Sequence, residues 1–291
     1  MNETAHQGQA TVERPSLYVV ATPIGNLADI TLRALDVLKR VDVVAAEDTR
    51  LAMRLLKHYG VTTRLMALHE HNERTAAQKI AQLLAQGKSV ALISDAGTPA
   101  ISDPGALAVA AARAGGHAVV PVPGPNAAVC ALSAAGLAAP HFLFYGFLPA
   151  QPAARKRELA ALKPLPYLLV FYEAPHRVVA SVTDIAAVMG GARNVTIARE
   201  LTKLFETIHS CRLDEALAWF AQDANQTRGE FVLLVEGAAA AAAPQDAAIR
   251  HVLEVLMREL SLKQAVKLAT GLTGARKNDV YDIALHMERA D

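Results

Sequence analysis

The chain has 291 residues, of which 52% are hydrophobic and 20% are charged, and its formal net charge at pH 7 is +1. A chain of this length is expected to form about two domains, and its apolar content supplies a large core and excludes global disorder. The near-neutral charge neither requires nor excludes a nucleic-acid partner, because a local basic patch would be sufficient.

The cysteines and the apolar segments indicate a cytoplasmic protein. Cys130 and Cys211 are far apart and form no CxxC pair, which fits a reducing compartment. Residues 1–14 lack the apolar core of a signal peptide. No run of about 18 apolar residues resembles a membrane span, and the alanine run at residues 238–243 is too short. We therefore expect a cytoplasmic location.

In the first half of the chain, short apolar runs alternate with helix-period segments, and turns rich in Gly, Pro and Asp separate them. Strands are predicted at residues 17–21, 41–46, 90–94 and 118–122, with helices at residues 30–40 and 73–86, before Gly60 and between the last two strands. The strand runs are apolar throughout, which is expected when helices cover both faces of a sheet. The sequence thus predicts an α/β domain over residues 15–137, preceded by a flexible segment at residues 1–14.

A second α/β domain is predicted over residues 138–237. Its strands are expected at residues 142–146, 167–172, 195–198, 206–210 and 231–235. The last three are closely spaced, with one long helical insert at residues 213–222, which indicates a more mixed sheet than in the first domain. Residues 238–245 are predicted to be an Ala-rich linker, and residues 246–291 a small helical extension with helices at residues 247–259, 262–270 and 276–287.

Three loops that follow predicted strands contain an unusual density of Gly, Pro and polar residues. They are ATPIGNL at residues 21–27, SDAGTPAISDPG at residues 94–105 and PVPGPNA at residues 121–127. Glycine lets the backbone approach a ligand closely, proline fixes the shape of a loop, and ligands of open α/β sheets bind beyond the carboxyl ends of the strands. The first loop fits an ordinary turn equally well, and Asn126 is also expected to cap the following helix.

A fourth loop, AAEDTR at residues 45–50, carries residues that suit catalysis. Glu47 and Asp48 are carboxylates that could act as a general base or orient another group, and Arg50 could hold them or a phosphate. The alternative is that Asp48 or Thr49 caps the next helix while Glu47 pairs with Arg50. Taken alone, these residues do not decide between the two interpretations.

Several common signals are absent from the sequence. It contains no GxGxxG, so a Rossmann-type nucleotide site is not supported. The GKS at residues 87–89 lacks the first Gly of a P-loop, because Gln82 occupies that position, and it is predicted to be a helix C-terminus. His69 and His71 have no convincing third ligand, so no metal site is expected.

Eight motifs occur in an order that resembles a known family: ATPIGNLADITLRAL, AAEDTR, SDAGTPAISDPG, VPGPNA, FYGFLP, FYEAPHR, ARELTK and GEFVLLVEG. They resemble those of the bacterial 16S ribosomal RNA cytidine-2′-O-methyltransferases of the RsmI type, within the tetrapyrrole methylase-like superfamily that uses S-adenosylmethionine (SAM). The resemblance covers residues 17–237 and includes the helical tail. Ala21 replaces an expected Gly, and Thr98 stands where related enzymes often carry Asp, which would remove a carboxylate contact to the cofactor.

The resemblance implies two α/β domains of the tetrapyrrole methylase type with SAM in the cleft between them, plus a small C-terminal helical extension. It also implies a homodimer that methylates a decoding-centre cytidine of 16S ribosomal RNA in the assembled small subunit. The residues expected to contact SAM are Pro23, Gly25, Asp95, Gly97, Thr98, Pro99, Ile101, Ser102, Asn126, Ala127, Phe171, Tyr172, Ala198, Gly229 and Glu230.

For catalysis, we expect Glu47 or Asp48 to serve as base or orienting group, with Arg50 in support and with Glu200 and Glu206 in reserve. RNA contacts are expected from basic residues around the cleft, namely Arg155, Lys156, Arg157, Arg177, Arg199 and Lys203. The run at residues 155–157 fits a solvated helix start equally well. The tail segment at residues 262–285 has helix-turn-helix spacing, so it could dock RNA or pack on a domain or a dimer partner.

Two other functions remain open from the sequence alone. One is methylation of a tetrapyrrole by an enzyme of the same superfamily, and the other is a non-enzymatic module that binds SAM or RNA. The AAEDTR and FYEAPHR motifs and the helical tail favour RNA methylation. A ribose 2′-hydroxyl must lose its proton when it is methylated, which favours a general base that contributes about 100- to 10,000-fold in rate.

Overall fold

The structure, a computed structural model, describes residues 15–238 and 244–288. The segment at residues 1–14 and most of the expected linker lie outside the described residues. The chain forms two compact units, one extending to Lys163 and from Tyr167 to Glu236, the other comprising Pro164–Pro166 and the chain from Gly237 onward. Both α/β sheets lie in the first unit, and the finer domain boundaries stay predictions.

The first sheet has five strands, all parallel, in the order β3-β2-β4-β1-β5. The strands are β1 (Ser16–Val20), β2 (Val43–Ala46), β3 (Arg64–Ala67), β4 (Val90–Ile93) and β5 (Ala118–Val122). The helices that follow them are α1 (Leu32–Arg40), α2 (Thr49–His58), α3 (Glu73–Ala85), α4 (Ala106–Ala114) and α5 (Ala127–Ala134).

Both faces of the sheet are buried at its central strands β1, β2 and β4, as their uniformly apolar sequences predict. Alternate residues of a strand point to opposite faces, and Tyr18 and Val20 of β1 pack into a core that includes Leu38 of α1 and Leu56 of α2. Leu17, which faces the other way, packs into a second core with residues of α3 and α4. Since each strand must serve two cores, no polar alternation is left in its sequence.

Strand β3 was not expected from the sequence. It is a four-residue edge strand whose pairing is confined to β2, and two of its four side chains, those of Arg64 and Ala67, are exposed. An edge strand with one paired side needs little apolar surface, so its sequence carries neither a long apolar run nor a clear alternation. By contrast, the GKS segment is a helix C-terminus as predicted, because α3 ends at Ala85 and Gly87 has a φ of +80°.

The strand order places the ends of β1 and β4 side by side. From β1 the chain crosses to β2 on one side of the pair, and from β4 it crosses to β5 on the other. The loops that follow β1 and β4 therefore diverge at a topological switch point, the position where open α/β sheets bind ligands.

The second sheet is mixed, in agreement with the spacing of its strands, and has the order β6-β7-β10-β8-β9. The strands are β6 (Phe142–Phe147), β7 (Leu168–Glu173), β8 (Asn194–Arg199), β9 (Thr207–Arg212) and β10 (Phe231–Val235). Only β6 and β7 pair in parallel, and the other neighbours are antiparallel. Its helices are α6 (Pro152–Leu162), α7 (Val178–Met189) and α8 (Leu213–Gln222).

Helix α5 joins the two sheets. Ala128 and Ala131 of α5 are buried against Leu168, Val170 and Leu234 of the second sheet, although α5 directly follows the last strand of the first sheet. Small residues on this helix let it lie close to the strands. The loop before α5 is thereby fixed between the two sheets.

Arg155, one of the predicted RNA-binding residues, is not on the surface of the protein. Its side chain on α6 is 3% exposed and forms an ion pair with Asp184 of α7, at 2.8 Å from Nε and 2.6 Å from Nη2. It also donates to the carbonyls of Pro149 and Ala150. From composition alone, three consecutive basic residues predict a solvated helix face. In the structure, the first of the three, Arg155, is buried between α6 and α7, where its charge is paired.

The second compact unit contains three helices, α9 (Pro244–Leu256), α10 (Leu262–Thr273) and α11 (Lys277–Glu288), which confirms the expected helical extension. It has its own core, which includes Leu253, Val266 and Val280. Gly274 ends α10 in the left-handed conformation with a φ of +67°, which allows the sharp turn into α11. Within the described ranges, no helix is both long and apolar enough to cross a membrane.

Candidate active site

The loops after β1 and β4 are fastened to each other at the switch point. Thr22 and Gly97 exchange two backbone hydrogen bonds of 2.9 and 3.0 Å. The hydroxyl of Thr22 also donates to the carbonyl of Ser94, at 3.2 Å. Because all three residues are buried, these bonds hold the two loops in one arrangement.

A cavity of about 410 Å³ opens beside these loops, between the two sheets. Its walls come from the loops after β2, β4 and β5 and from residues near β6, β7, β8 and β10. The predicted residues that line it are Glu47, Asp95, Gly97, Thr98, Ile101, Ser102, Asn126, Ala127, Tyr172 and Glu230. The structure thus brings together residues that the sequence places in separate segments.

The remaining predicted cofactor residues lie elsewhere. Pro23 and Gly25 line a second cavity of about 430 Å³ beside the first. Phe171 and Ala198 are fully buried and line neither cavity, so the structure does not bring their side chains to the predicted cofactor site, and their contact with the cofactor stays a prediction. Phe171 precedes Tyr172 on β7, and consecutive strand residues face opposite ways, so the Phe171 side chain points away from the side of β7 on which Tyr172 lines the cavity.

Pro99 and Gly229 also lie off the lining of both cavities. Gly229 has a φ of +93°, and a Cβ there would lie 2.4 Å from Cγ of Glu200. The Glu200 carboxylate accepts hydrogen bonds from the backbone N–H of Glu230 and from Lys203, at 3.0 and 2.8 Å. Gly229 therefore makes room for the contact that positions Glu230, and the direct cofactor contact predicted for Gly229 stays a prediction.

The electrostatics of the cavity are one-sided. Its lining contains no Lys, Arg or His side chain among the described residues, but it contains five acidic ones, namely Glu47, Asp95, Asp103, Glu173 and Glu230. The Glu173 carboxylate is neutralised by Arg177, at 2.7 Å, and Glu230 pairs with Lys203 at 2.9 Å. The other three leave a negative potential in a partly enclosed space, which favours a cationic ligand.

Glu47 has a strongly perturbed pKa. Partial burial raises the pKa of its carboxyl group to about 7, and the charges of Asp95 and Asp103 contribute to this rise. Burial likewise raises the pKa of Asp103 to about 6, against a hydrogen bond from Ser94 that lowers it. A carboxylate with a pKa near neutrality is a better proton acceptor than an ordinary one, so Glu47 is suited to act as a base.

Asp48 differs from Glu47, because its carboxylate is engaged in other contacts and does not line the cavity. It is the N-cap of α2, accepts a hydrogen bond of 2.7 Å from the backbone N–H of Arg50, and pairs with the Arg50 side chain at 2.7 Å. These bonds hold the pKa of Asp48 well below its usual range. The capping interpretation was correct for Asp48, whereas Glu47 lines the cavity instead of pairing with Arg50.

Asp48 nevertheless positions the site, because its backbone N–H donates to Oδ1 of Asp95 at 2.9 Å. Arg50 is 86% exposed in its side chain and lies outside the cavity. Asn126 caps α5 by accepting from the backbone N–H of Val129 at 3.1 Å, as expected, while it also lines the cavity. Its two predicted roles are thus compatible in the folded chain.

Sequence reasoning missed Asp103 as a candidate. It lies in the same loop as Asp95, at residues 94–105, and nothing in the sequence separates a half-buried Asp from an exposed one there. A backbone signal is visible only in the structure: Ala100 and Ser102 have φ values of +64° and +67°. Non-glycine residues in this region cost about 1–3 kcal/mol each and concentrate at functional sites.

Of the remaining predicted RNA-binding residues, some are held in contacts within the protein and others are exposed to solvent. Arg177 is engaged with Glu173, and Arg199 donates to the carbonyls of Asn225 and Arg228. Lys203 is held between Glu200 and Glu230, at 2.8 and 2.9 Å. Lys156 is half exposed although it pairs with Asp184, and Arg157 is 77% exposed.

The reserve carboxylates stabilise a loop. Glu200 carries the bonds described above, and Glu206 accepts a hydrogen bond of 2.6 Å from the backbone N–H of Thr202; neither lines the two cavities. The His69 and His71 rings contact each other edge to face. In the part of the chain that the structure describes, no three His, Cys, Asp or Glu side chains form a metal-binding group.

Comparison with known families agrees with this architecture. The sequence model of the tetrapyrrole (corrin/porphyrin) methylases matches residues 16–217, and that of the RsmI C-terminal HTH domain matches residues 238–288. Two solved structures share the fold: uroporphyrin-III-C-methyltransferase from Thermus thermophilus (TM-score 0.54, 21% identity, 76% of this chain and 94% of that one) and the methyltransferase CobJ (TM-score 0.58, 18% identity, 77% and 95%).

Curated relatives are similar over nearly the whole chain. The ribosomal RNA small subunit methyltransferase I of Escherichia coli O157:H7 is 50% identical over 272 residues, which cover 94% of this chain and 95% of the relative. The proteins of the same name from Pseudomonas aeruginosa and Halalkalibacterium halodurans are 52% and 42% identical, over 94% and 97% of this chain and 98% of each relative.

Proposed function

Because the chain belongs to the ribosomal RNA small subunit methyltransferase I family, on the tetrapyrrole methylase fold, we propose that it uses SAM to methylate a ribose 2′-hydroxyl of 16S ribosomal RNA. The proposed target is a decoding-centre cytidine in the assembled small subunit. The relatives' shared name supports the class of RNA, and the motif resemblance supports the ribose position and the cytidine.

The observation that carries the proposal is the acidic cavity. SAM has a sulfonium and an ammonium group, and the lining offers three carboxylates outside the ion pairs described above, those of Glu47, Asp95 and Asp103. The cavity volume of about 410 Å³ lies within the range of about 300–1,000 Å³ that is typical of small-molecule sites. The residues present therefore fit a cationic cofactor.

Apolar and polar surfaces in the same cavity suit the rest of the cofactor. Ile101, Ala127 and Phe147 offer apolar surface for a nucleobase, and Phe147 is half exposed at the wall. The Tyr172 hydroxyl accepts a hydrogen bond from the backbone N–H of Ala128, at 3.2 Å, so its ring is fixed. The Thr98 hydroxyl donates to the carbonyl of Pro125 at 3.1 Å, which leaves it an acceptor toward the cavity.

When bound, SAM supplies a methyl group that is electrophilic without further activation. The protein must then hold the acceptor hydroxyl in line, exclude water and take up a proton. Glu47 is placed to accept that proton, since its carboxylate lines the cavity and its pKa is raised to about 7 by burial. Asp95 and Asp103 act on Glu47 through their charge, and Asp48 positions Asp95 through the hydrogen bond from its backbone N–H.

The test is to incubate undermethylated small ribosomal subunits with the protein and SAM and then to map the modified nucleosides of 16S ribosomal RNA by mass. We expect one 2′-O-methylcytidine, recognised by the resistance of its 3′ phosphodiester to alkaline cleavage. Heat-denatured protein and Glu47→Gln serve as controls. A methyl group on a base, or turnover of a porphyrin precursor without RNA methylation, would contradict the proposal.

The protein is also proposed to be a homodimer with a cytoplasmic location. Size-exclusion chromatography combined with light scattering should then give twice the mass of the chain, and a monomer at micromolar concentration would contradict the homodimer. A cytoplasmic location is proposed because the substrate is an assembled ribosomal subunit. Lys156 and Arg157 remain the proposed RNA contacts on α6, since both are solvent-exposed.

A further inference from the structure

The second cavity differs in charge from the acidic one, although the two adjoin. Its volume is about 430 Å³, and it shares Ile24, Asp95, Ala96 and Glu230 with the acidic cavity. Its basic lining residues are Arg54, His58 and Lys203, and none of them lines the first cavity. The carboxylates of Asp95 and Glu230 therefore lie at the junction of the two cavities, Lys203 pairs with Glu230 there, and Arg54 and His58 line the second cavity alone.

Helix α2 presents one face to this second cavity. Leu51, Arg54, Leu55 and His58 all line it, and their spacing of i, i+3, i+4 and i+7 places them along one side of a helix. Arg54 and His58 are exposed. No ion pair among the described residues involves Arg54, so its charge is available to a ligand.

The opposite wall is a built structure that both sheets contribute. Lys203 lies directly on Gly25, where an added Cβ would be 2.5 Å from its Cγ, and its charge is balanced by Glu200 and Glu230. The hydroxyl of Tyr59 donates to the carbonyl of Leu27, which fastens the end of α2 to the first loop. Because Lys203 is balanced and the carboxylates lie at the junction, the guanidinium of Arg54 is the remaining unpaired charge among the described lining residues, and the ring nitrogens of His58 lie one helical turn away from it.

We propose that this second cavity is the subsite for the sugar–phosphate backbone next to the target nucleotide, with Arg54 and His58 binding its phosphodiester. The inference rests on the proposed function, because a ribose that reaches the junction carries a phosphodiester on either side. Exposed Leu51 and half-buried Leu55 offer apolar surface beside the cations, which suits the face of a ribose. Arg binds phosphate through its planar, multidentate guanidinium.

The charge and the position of the second cavity both favour a phosphodiester as its ligand. A cationic cofactor is favoured where carboxylates line the wall, and a polyanion is favoured where unpaired cations do. Since Asp95 and Glu230 belong to both cavities, a ligand in the second cavity lies next to the acidic one without entering it. The RNA contacts proposed above lie on α6, beside the second sheet, whereas Arg54 and His58 lie on α2, beside the first sheet. The proposed RNA-binding surface therefore includes both sheets.

The test compares Arg54→Gln, His58→Gln and the double variant with Lys57→Gln. Lys57 is an exposed cation on the same helix and lines neither cavity, so its removal changes net charge by the same amount as removal of Arg54. The measurements are KM for undermethylated small subunits at saturating SAM, the salt dependence of small-subunit binding, and SAM affinity by equilibrium dialysis.

We expect each α2 variant to raise KM for subunits by about fivefold, the upper end for an exposed charge contact, while Lys57→Gln stays near wild type. The slope of log K against log salt should fall by about 0.7–0.9 for each phosphodiester that is no longer bound. SAM affinity should change by less than about twofold in all variants. Retained thermal unfolding temperatures would show that the variants are folded.

Two results would overturn the assignment. An unchanged salt slope in the double variant means that no phosphate is bound there. A loss of SAM affinity equal to the loss in KM for subunits means that the second cavity holds part of the cofactor. Wild-type protein that fails to methylate subunits at all contradicts the proposed function itself, and this outcome is distinct from either result on α2.

Discussion

Replacing Glu47 by Gln removes the proposed base while keeping the size of the side chain. With a pKa of about 7, Glu47 is about one-tenth ionised at pH 6 and about nine-tenths ionised at pH 8, so kcat/KM of the wild type should rise about tenfold between them. The base must be deprotonated to act, so activity falls as pH falls. Loss of the carboxylate should lower kcat by about 100- to 10,000-fold, equivalent to about 2.7–5.5 kcal/mol of barrier.

The assay is single-turnover transfer of labelled methyl from saturating SAM to undermethylated small subunits, from pH 5.5 to pH 8.5. Two acidic neighbours provide matched variants, because the charges of both raise the pKa of Glu47. Asp103 lines the cavity, whereas Glu70 does not and has the smaller effect. Asp103→Asn should move the acidic limb to lower pH, and Glu70→Gln should move it less in the same direction while the plateau is kept.

The reasoning is refuted if Glu47→Gln keeps the wild-type rate and the acidic limb, since another group must then accept the proton. It is also refuted if SAM binding falls in proportion to turnover, because Glu47 would then be a binding residue. A limb that moves to higher pH in Asp103→Asn would contradict the electrostatic cause, since removal of a negative neighbour must make Glu47 easier to ionise.

Two further predictions concern stability. Arg155→Met should lower the free energy of unfolding in urea by about 3–5 kcal/mol, because it leaves Asp184 buried without its main partner. The folded fraction of this variant should bind small subunits as the wild type does. Weakened binding at unchanged stability would instead indicate that Arg155 contacts RNA. Gly229→Ala should cost about 1–3 kcal/mol through its positive φ and the clash with Glu200, seen as a lower melting temperature. Gly271 lies in α10 with open space around its Cβ position, so Gly271→Ala should instead be neutral or stabilising by up to about 1 kcal/mol. An equal loss of stability in Gly229→Ala and Gly271→Ala would contradict the steric argument.

The fold could be predicted because burial leaves a mark on composition. Strand β1 consists of five consecutive buried or half-buried residues, since Leu17 serves one core and Tyr18 and Val20 the other. The edge strand β3 carries no such mark, because its exposed ends and single pairing partner make few demands on its residues. Sequence patterns thus report how strongly a segment is buried, and they miss the segments that are not.

The site could be predicted at the level of loops but not of individual side chains. The topological rule places the loops after β1 and β4 together, and the bridge between Thr22 and Gly97 is the physical result. The choice between Phe171 and Tyr172 depends on strand register, and the fate of Arg155 depends on which face of α6 meets α7. Both require the tertiary partners, which a single sequence does not name.

The proposed occupants of the two adjoining cavities are a cation and a polyanion, and the charges of the two linings differ accordingly. Carboxylates that attract a sulfonium repel a phosphodiester, so an RNA strand gains nothing by entering the acidic cavity. In the proposed arrangement, Arg54 and His58 bind the phosphodiester outside that cavity, so the neutral ribose is the part of the strand that approaches the junction. Glu47 lines the acidic cavity, where the same negative surroundings that exclude phosphate help to raise its pKa toward neutrality. In the proposed mechanism, the negative charge that keeps the phosphodiester out of the acidic cavity therefore also helps to raise the pKa of the base.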